Sequence, residues 1–330
     1  MRIFEYHPGI GTFSSGIEKN FKHKVVQVQN ISSLECSSYN ISHLHQFTPN
    51  NSNFINYDSL KKHDFAILKP DFGISITQKR FNSLKMDELY SCLNYIAKYR
   101  PKIVIIITPP HVIKSLNYNH SYVTDGFDMV SKDIVIQALQ SCDYMAWQLV
   151  IDQVQCGVPM YYPVNFYIGI DQSLGDVRDT ESPSILYGSG SDKLPYHTVY
   201  DAISDLGPDQ DAYLSQPINA YQLWCREDET KLRNHIPKEL NSSDLKRALF
   251  TRPADIGSNF YLPNGIGFPC HPSYSFNRAF TIREGMRLHG IPDYIYLSDR
   301  IHIKQQAYMV HEQISPLTAI NLYSMIKPYI

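Results

Sequence analysis

The stretch Ile3-Phe4-Glu5-Tyr6-His7-Pro8-Gly9-Ile10-Gly11-Thr12 opens the chain and decides its fold. A short strand-like segment at 3–6 is followed by two closely spaced glycines and then by a helical stretch at 14–20. In such a turn, glycines let backbone amides approach a cofactor at the N-terminus of a helix. A tight strand-to-helix turn that binds nothing has the same pattern, so the turn alone leaves a ligand open.

Strand-like and helix-like segments alternate through the first half of the chain. Apolar segments at 24–28, 65–68 and 103–107 predict strands, and apolar side chains spaced by three and four residues predict an amphipathic helix at 87–99. The remaining predicted elements are a helix at 134–139 and strands at 147–154 and 166–170. This alternation predicts an α/β fold with a mostly parallel sheet and helices on both faces.

Composition excludes several classes of protein. The chain has 330 residues, 43% of them hydrophobic, and a net charge of −2, so a nucleic-acid ligand would need a local basic patch. Its six cysteines lie far apart without a CxxC pair, and its histidines have no metal-site spacing, so we expect reduced thiols and no metal. No apolar run approaches the ~20 residues of a membrane span. We expect a cytoplasmic (bacterial or phage-like) or otherwise intracellular protein.

Changes in composition and periodicity divide the sequence into three parts. A polar loop rich in Ser, Gly and Asp begins after residue 170, and irregular sequence with scattered prolines follows it. Helical periodicity returns near residue 278. We predict a large domain at 1–185, a small lobe at 186–275 and a segment at 276–330 that returns to the large domain. A basic cluster within the lobe is interleaved with acidic residues and is typical of a solvated surface.

Two blocks of sequence together resemble the cytosine-C5 DNA methyltransferases. The first is the glycine turn, and the second is a late block comprising His271-Pro272, Arg278-Ala279-Phe280-Thr281-Ile282-Arg283-Glu284 and Arg287-Leu288-His289-Gly290-Ile291-Pro292-Asp293. The resemblance covers most of the chain. It implies a Rossmann-like S-adenosylmethionine-dependent methyltransferase fold with a small, reduced target-recognition-like lobe. In the family the Arg and Glu residues of the late block mainly support the fold.

The resemblance also implies where S-adenosylmethionine would bind. The positions that would contact it are Gly9, Gly11, Thr12, Phe13, Asn30, Asp58 and Pro70. Asn30 stands where the family has an acid for the ribose hydroxyls, and an amide brings no charge to the diol. In the last block, His311-Glu312-Gln313-Ile314-Ser315-Pro316 replaces Gly-Asn-Ala-Val-Pro-Pro. We therefore expect no certain cofactor, with S-adenosylmethionine a candidate of weakened affinity.

The positions that carry chemistry in the family hold other residues here. Asp71 occupies the place of the nucleophilic cysteine, and a carboxylate is a poor nucleophile towards a pyrimidine ring. Ile107 replaces the glutamic acid that activates the ring, which removes the acid. Tyr162 and Val164 replace two arginines, and Met160 replaces a glutamine. The resemblance thus implies a degenerate member without catalytic residues.

Three functions stay open on these grounds. The first is a non-catalytic protein that binds a protein partner or DNA as a regulatory subunit, the partner being an active methyltransferase or another DNA-modification or defence component. Its cleft, lined by Tyr161, Tyr162, Phe72 and Ile107, would then be a docking surface. The second is a divergent S-adenosylmethionine-dependent methyltransferase acting on DNA cytosine or another acceptor. The third is a cofactor sensor without transfer.

Overall fold

A computed structural model describes most of the large domain and the end of the chain. The described residues are 1–50, 52, 54–71, 86–108, 131–174, 187, 193–206, 254–255, 281–298 and 300–329. Most of the predicted lobe at 186–275 lies outside them, and the three-part division therefore stays a prediction. No helix of the described residues is long and apolar enough to cross a membrane.

A six-stranded sheet forms the centre of the molecule. Its strands are β1 (Arg2–Tyr6), β2 (Lys24–Gln29), β3 (Phe65–Leu68), β4 (Ile103–Thr108), β5 (Tyr144–Asp152) and β7 (Pro163–Asp171), in the order β2-β1-β3-β4-β7-β5. β1, β2, β3 and β4 are parallel, whereas β7 pairs antiparallel with both β4 and β5. The sheet is thus mixed: β7 alone runs against the other five strands, so the expectation of a mostly parallel sheet is confirmed. Short strands β6 (Met160–Tyr161) and β8 (Ala254–Asp255) pair separately.

Eight helices accompany the strands in the described residues. They are α1 (Thr12–Phe21), α2 (Ser33–His43), α3 (Asp87–Tyr99), α4 (Ser131–Ser141), α5 (Val199–Ile203), α6 (Ile282–Leu288), α7 (Ile303–His311) and α8 (Pro316–Ile326). Local sequence fixes several starts. A capping box of Ser32 with Glu35 begins α2, and one of Thr281 with Glu284 begins α6. The predicted helix at 87–99 is confirmed with the same bounds.

The core lies on both faces of the sheet, as the sequence predicts. β4 is buried along its whole length, and its odd residues Ile103, Ile105 and Ile107 join one apolar cluster while Val104 and Ile106 join the other. Helices α1 and α8 cover the first face, and α3 and α4 cover the second. Burial of this β-branched strand on both sides fixes its place in the middle of the sheet.

Candidate functional site

The carboxyl ends of β1, β3 and β4 meet at one edge of the sheet. The turn after β1 and the N-terminus of α1 lie there, and the 311–316 segment packs over them. Together they enclose a cavity of about 20 Å³ lined by Glu5, Tyr6, His7, Pro8, Thr12, Phe13, Ile67, Lys69, Ile107, Glu312, Gln313 and Ile314. The structure therefore brings Thr12 and Phe13 together with Ile107, as the resemblance implies.

The two glycines of the turn make room for side chains of the chain itself. Both have left-handed backbone conformations, with φ of 60° at Gly9 and 76° at Gly11. A Cβ atom on Gly9 would lie 2.5 Å from Nε2 of Gln313. A Cβ atom on Gly11 would lie 2.2 Å from Cε2 of Tyr39. The close approach that glycine permits at each position is thus taken up by internal packing.

Gln313 is held firmly over Gly9. Its side chain is buried, and its Nε2 donates to the carbonyl of Met309 at 2.7 Å. Its Oε1 accepts from the hydroxyl of Thr12 at 3.2 Å, and that hydroxyl is also 2.7 Å from the carbonyl of Ile314. Where the family block has Ala, this longer amide therefore joins α7 to the start of α1.

A buried carboxyl group lies beneath the same cavity. Glu5 is 1% exposed and accepts a hydrogen bond from the hydroxyl of Tyr39 at 3.1 Å. Burial raises the pKa of Glu5 to about 8, although hydrogen bonds from Ser14 and Tyr39 lower it in part. Glu5 is therefore mostly protonated at neutral pH. Lys69, which also lines the cavity, donates to the carbonyl of Glu312 instead.

A second carboxylate, that of Glu88, contacts Asn30, the residue that follows β2. Glu88, near the start of α3, accepts from Asn30 Nδ2 at 3.3 Å and from the backbone N–H of Asp71 at 2.8 Å. It also lies 3.9 Å from Nδ1 of His7. The amide of Asn30 donates in addition to the hydroxyl of Tyr6 at 3.4 Å. Asn30, proposed from sequence as a ribose contact, thus contacts Glu88 and Tyr6.

The remaining predicted cofactor contacts lie in different settings. Pro70 is buried just after β3, and Phe13 packs its ring 6.0 Å from that of Phe166 in the core. Asp58 is exposed in a 3₁₀ turn at Tyr57–Ser59, where its backbone N–H donates to Asn56 Oδ1. Asp58 is not among the residues that line the cavity.

The positions of the family's catalytic residues are occupied by core and surface residues. Ile107, Tyr162 and Val164 are 3%, 4% and 3% exposed, so they belong to the core and the expected docking surface at Ile107 and Tyr162 is wrong. Asp71 is exposed, and Phe72 lies outside the described residues. No group of three His, Cys, Asp or Glu in the described part of the chain could hold a metal ion.

Tyr162 contributes to an aromatic cluster with two buried histidines. Its ring lies 6.3 Å from that of His289, which lies 5.2 Å from that of His311. Burial, and then the neighbouring His311, lower the pKa of His289 to about 3. Nδ1 of His289 lies 2.8 Å from the carbonyl of Gly285. His289 is therefore a neutral core residue.

The cavity is far too small for a nucleoside cofactor as its side chains lie. Ligand pockets in proteins usually enclose roughly 300–1,000 Å³, whereas about 20 Å³ holds about one water molecule. Gln313 fills the space over Gly9, and Glu88 occupies the amide of Asn30. As these side chains lie, this cavity does not fit S-adenosylmethionine.

Sequence reasoning did not single out Glu5, Glu88 or Gln313 as site residues. Glu5 had a local signal, because it is a lone charged residue in an apolar strand. Gln313 lies in the last block of the resemblance, but its contact with Thr12, 301 positions away, leaves no local signal. The contacts of Glu88 with Asn30 and Asp71 leave none either.

Known proteins show the same fold. The chain is 22% identical over 311 residues to the Type II methyltransferase M.DdeI of Desulfomicrobium norvegicum, covering 79% of this chain and 71% of that protein. No protein-family profile matches the chain.

Solved methyltransferase structures superpose over nearly the whole chain. A DNA modification methyltransferase encoded within an Escherichia coli prophage matches with a TM-score of 0.62 and 16% identity, covering 99% of both chains. Dnmt2 of Schizosaccharomyces pombe matches with a TM-score of 0.61 and 13% identity, again covering 99% of both chains. The methyltransferase fold and the resemblance to the cytosine-C5 DNA methyltransferases are thereby confirmed.

Proposed function

We propose that this chain, which has the fold of the cytosine-C5 DNA methyltransferases, is a non-catalytic relative that acts as a binding or regulatory subunit. One observation supports the proposal: the chain's own side chains fill the space at the glycine turn, where the resemblance implies the cofactor. Gln313 packs on Gly9, and the cavity beside it encloses about 20 Å³. A methyl donor has no room there, and without a donor no methyl group is transferred.

The residues around the cavity support the same conclusion. The alkyl side chain of Ile107 neither donates nor accepts a proton, and Asp71 offers a carboxylate where the family has a thiolate. Val164, in the place of an arginine, is buried in the core and has no charge to offer a phosphate. The proposal is therefore a chain that has no methyl donor, no nucleophile and no catalytic acid.

The proposed partner is a protein or DNA. A protein partner would be an active methyltransferase or another component of DNA modification or defence. A net charge of −2 favours a protein, because it gives no long-range attraction for the phosphate backbone. Arg287 is already neutralised by Asp205 and Asp293, at 2.6 Å from each.

Isothermal titration with S-adenosylmethionine and S-adenosylhomocysteine tests the proposal. We expect no heat of binding up to millimolar ligand, and no radiolabelled methyl transfer to mixed DNA, RNA and protein. Gln313→Ala is the matched variant, because it removes the amide over Gly9 and restores the small side chain of the family block. Binding by the wild-type chain without transfer would replace the proposal with a cofactor sensor, and transfer would replace it with a divergent methyltransferase.

A further inference from the structure

Charged residues lie in one row at the strand ends opposite the cleft. In the order β2-β1-β3-β4-β7 they are Lys24, Arg2, Asp64, Lys102 and Asp171. Arg2 pairs with Lys24, and the N–H of Asp64 donates to the carbonyl of Arg2 at 2.9 Å. The N–H of Asp171 donates to the carbonyl of Lys102, also at 2.9 Å. Because neighbouring strands are about 4.8 Å apart, five residues in register form a continuous row.

The row lies on the face of the sheet that α3 covers. The next residues along the strands, Ile3, Phe65 and Ile103, belong to the apolar cluster of the other face. Side chains alternate between the two faces along a strand. Arg100, which directly follows α3, is only two residues before Lys102. The end of α3 therefore extends the charged row.

The 57–62 segment extends the row further. The hydroxyl of Tyr99, in α3, donates to the carbonyl of Tyr57 at 3.0 Å, and the two rings stack with 5.7 Å between their centres. Nζ of Lys98 lies 4.5 Å from the centre of the Tyr57 ring. The N–H of Lys61 donates to Oε1 of Gln27 in β2. These contacts join the segment to the sheet and to the end of α3.

This part of the molecule, here called the amino-edge surface, is strongly basic. Its carboxylates are those of Asp58, Asp64, Asp143 and Asp171, and Asp143 pairs with Arg100 at 2.6 Å. Its seven cations are all exposed and outnumber the four carboxylates by three, whereas the whole chain has a net charge of −2. The cations are Arg2, Lys24, Lys61, Lys62, Lys98, Arg100 and Lys102. Like charges this close repel each other, so an anionic partner would stabilise the surface.

The order of charges in the row favours an acidic protein over a nucleic acid. The row reads positive, positive, negative, positive, negative. A nucleic-acid strand carries a phosphate about every 3.4 Å, so a backbone lying along the row would meet Asp64 and Asp171. A polypeptide can place carboxylates opposite the three cations and uncharged residues opposite the two aspartates. Tyr99, which is 39% exposed, is of a residue type enriched in protein interfaces.

We propose that the amino-edge surface binds an acidic segment of a protein partner. The partner's carboxylates lie opposite Lys24, Arg2 and Lys102, and its side chains pack on Tyr99. The inference names a surface for the protein partner of the role proposed above and rests on that role. Failure of the two proposals is distinguishable, because the titration with S-adenosylmethionine tests the cavity at the other end of the strands.

Fluorescence anisotropy of a labelled octaglutamate peptide tests the proposal. We expect the full chain to bind the peptide at low salt, with an affinity that falls as salt is added. Lys24→Gln and Lys102→Gln should each weaken binding by about two- to fivefold, because an exposed ion pair contributes a modest free energy.

Arg300→Gln is the matched control, since it also removes one exposed cation. Arg300 lies beyond Ser298, whose N–H donates to Ser38 of α2, and α2 packs on the other face of the sheet. Its affinity for octaglutamate should equal that of the wild type. Thermal unfolding of each variant shows that a loss of binding is not a loss of the fold.

A wild-type chain that leaves octaglutamate unbound at millimolar protein and low salt would overturn the proposal. So would a loss of affinity in Arg300→Gln as large as that in Lys102→Gln, because the peptide would then respond to net charge alone. A short DNA duplex is the competitor. If it displaces octaglutamate at a lower concentration of charge than unlabelled peptide does, the surface binds nucleic acid and the proposal of an acidic protein fails.

Discussion

Two regions of the molecule resemble the same family but hold different kinds of polar contact. In the late block around α6, Arg283 is 3% exposed and donates to the carbonyl of Ile295, while Arg287 pairs with both Asp205 and Asp293. In the cleft at the end of β1, Ile107 is part of the core. The late block contains a polar network, whereas the Ile107 position of the cleft is apolar.

The difference follows from where each residue's partner lies. A buried guanidinium destabilises a fold unless it is paired. Arg283 and Arg287 find their partners, Asp293 and the backbone around it, within the chain itself. A catalytic acid or arginine finds its partner in a substrate or cofactor. When that ligand is gone, such a group is an unpaired buried charge, and an apolar side chain is more stable in its place. The contacts of Arg283 and Arg287 thus stabilise the fold itself.

The largest effect is expected from a framework contact rather than from the cleft. Gly16 of α1 packs so closely on α8 that an added Cβ would lie 2.4 Å from the carbonyl oxygen of Pro316. Because both partners are backbone or fixed to it, the helices must separate, and Gly16→Ala should lower the free energy of unfolding by about 3 kcal/mol. Urea unfolding measures it.

Asn94→Ala on the exposed side of α3 is the matched control, with an expected change within about 0.5 kcal/mol. A Gly16→Ala protein as stable as this control would show that the two helices yield easily.

The next effect concerns the network of the late block. Arg287→Met should cost about 2 kcal/mol, because Asp205 and Asp293 lose their shared cation and its hydrogen bonds. This figure is below that of a fully buried pair, since the side chains of Asp205 and Asp293 are 64% and 51% exposed. The double variant with Asp293→Asn should cost less than the two single changes together. Additive costs would contradict a network.

A smaller effect separates the cleft from the late block. Gly9→Ala should cost about 1–2 kcal/mol, because alanine is strained at positive φ and its Cβ meets Gln313. If contact with Gln313 is what requires glycine at position 9, Gly9→Ala in a Gln313→Ala background should cost about 1 kcal/mol less. Gly11→Ala is the control, since its added Cβ meets Tyr39 and gains nothing from Gln313→Ala. Equal costs in both backgrounds would leave Gln313 without this role.

Much of the fold could be predicted because it depends on local patterns. The apolar run at 103–107 and the periodicity at 87–99 each correspond to one element of the structure. The direction of β7 was missed, although the sequence contains the signal: only ten residues, 153–162, separate it from β5. A parallel connection needs a longer crossover, usually through a helix.

The site could be predicted only in part, for a physical reason. The resemblance indicates which positions would carry catalytic side chains, because those positions lie in recognisable blocks. What fills the cleft depends on contacts between distant residues, such as Thr12 with Gln313 and Asn30 with Glu88. Such contacts leave no local pattern.

The smallest expected effect, counted per pH unit, is on the free energy of unfolding. The late block and the cleft should change it in opposite directions as pH rises. Burial in the late block lowers the pKa of His289 from 6.5 to about 3. Between these values the unfolded state binds the extra proton, so stability should rise with pH by up to about 1.4 kcal/mol per unit. Burial beneath the cleft raises the pKa of Glu5 from 4.5 to about 8. Between these values the folded state holds the extra proton, so stability should fall as pH rises.

The two slopes overlap and oppose each other between pH 4.5 and 6.5. Unfolding by urea at a series of pH values should therefore show a rise below 4.5, a plateau from 4.5 to 6.5 and a fall towards 8. Glu5→Gln removes the titrating group from the cleft but keeps an acceptor for Tyr39. Relative to wild type, this variant should gain stability steadily between pH 4.5 and 8. A difference between the two proteins that stays constant over that range would mean that Glu5 is ionised in the fold. The cleft would then contain a charge, as an active site does, and its contrast with the late block would disappear.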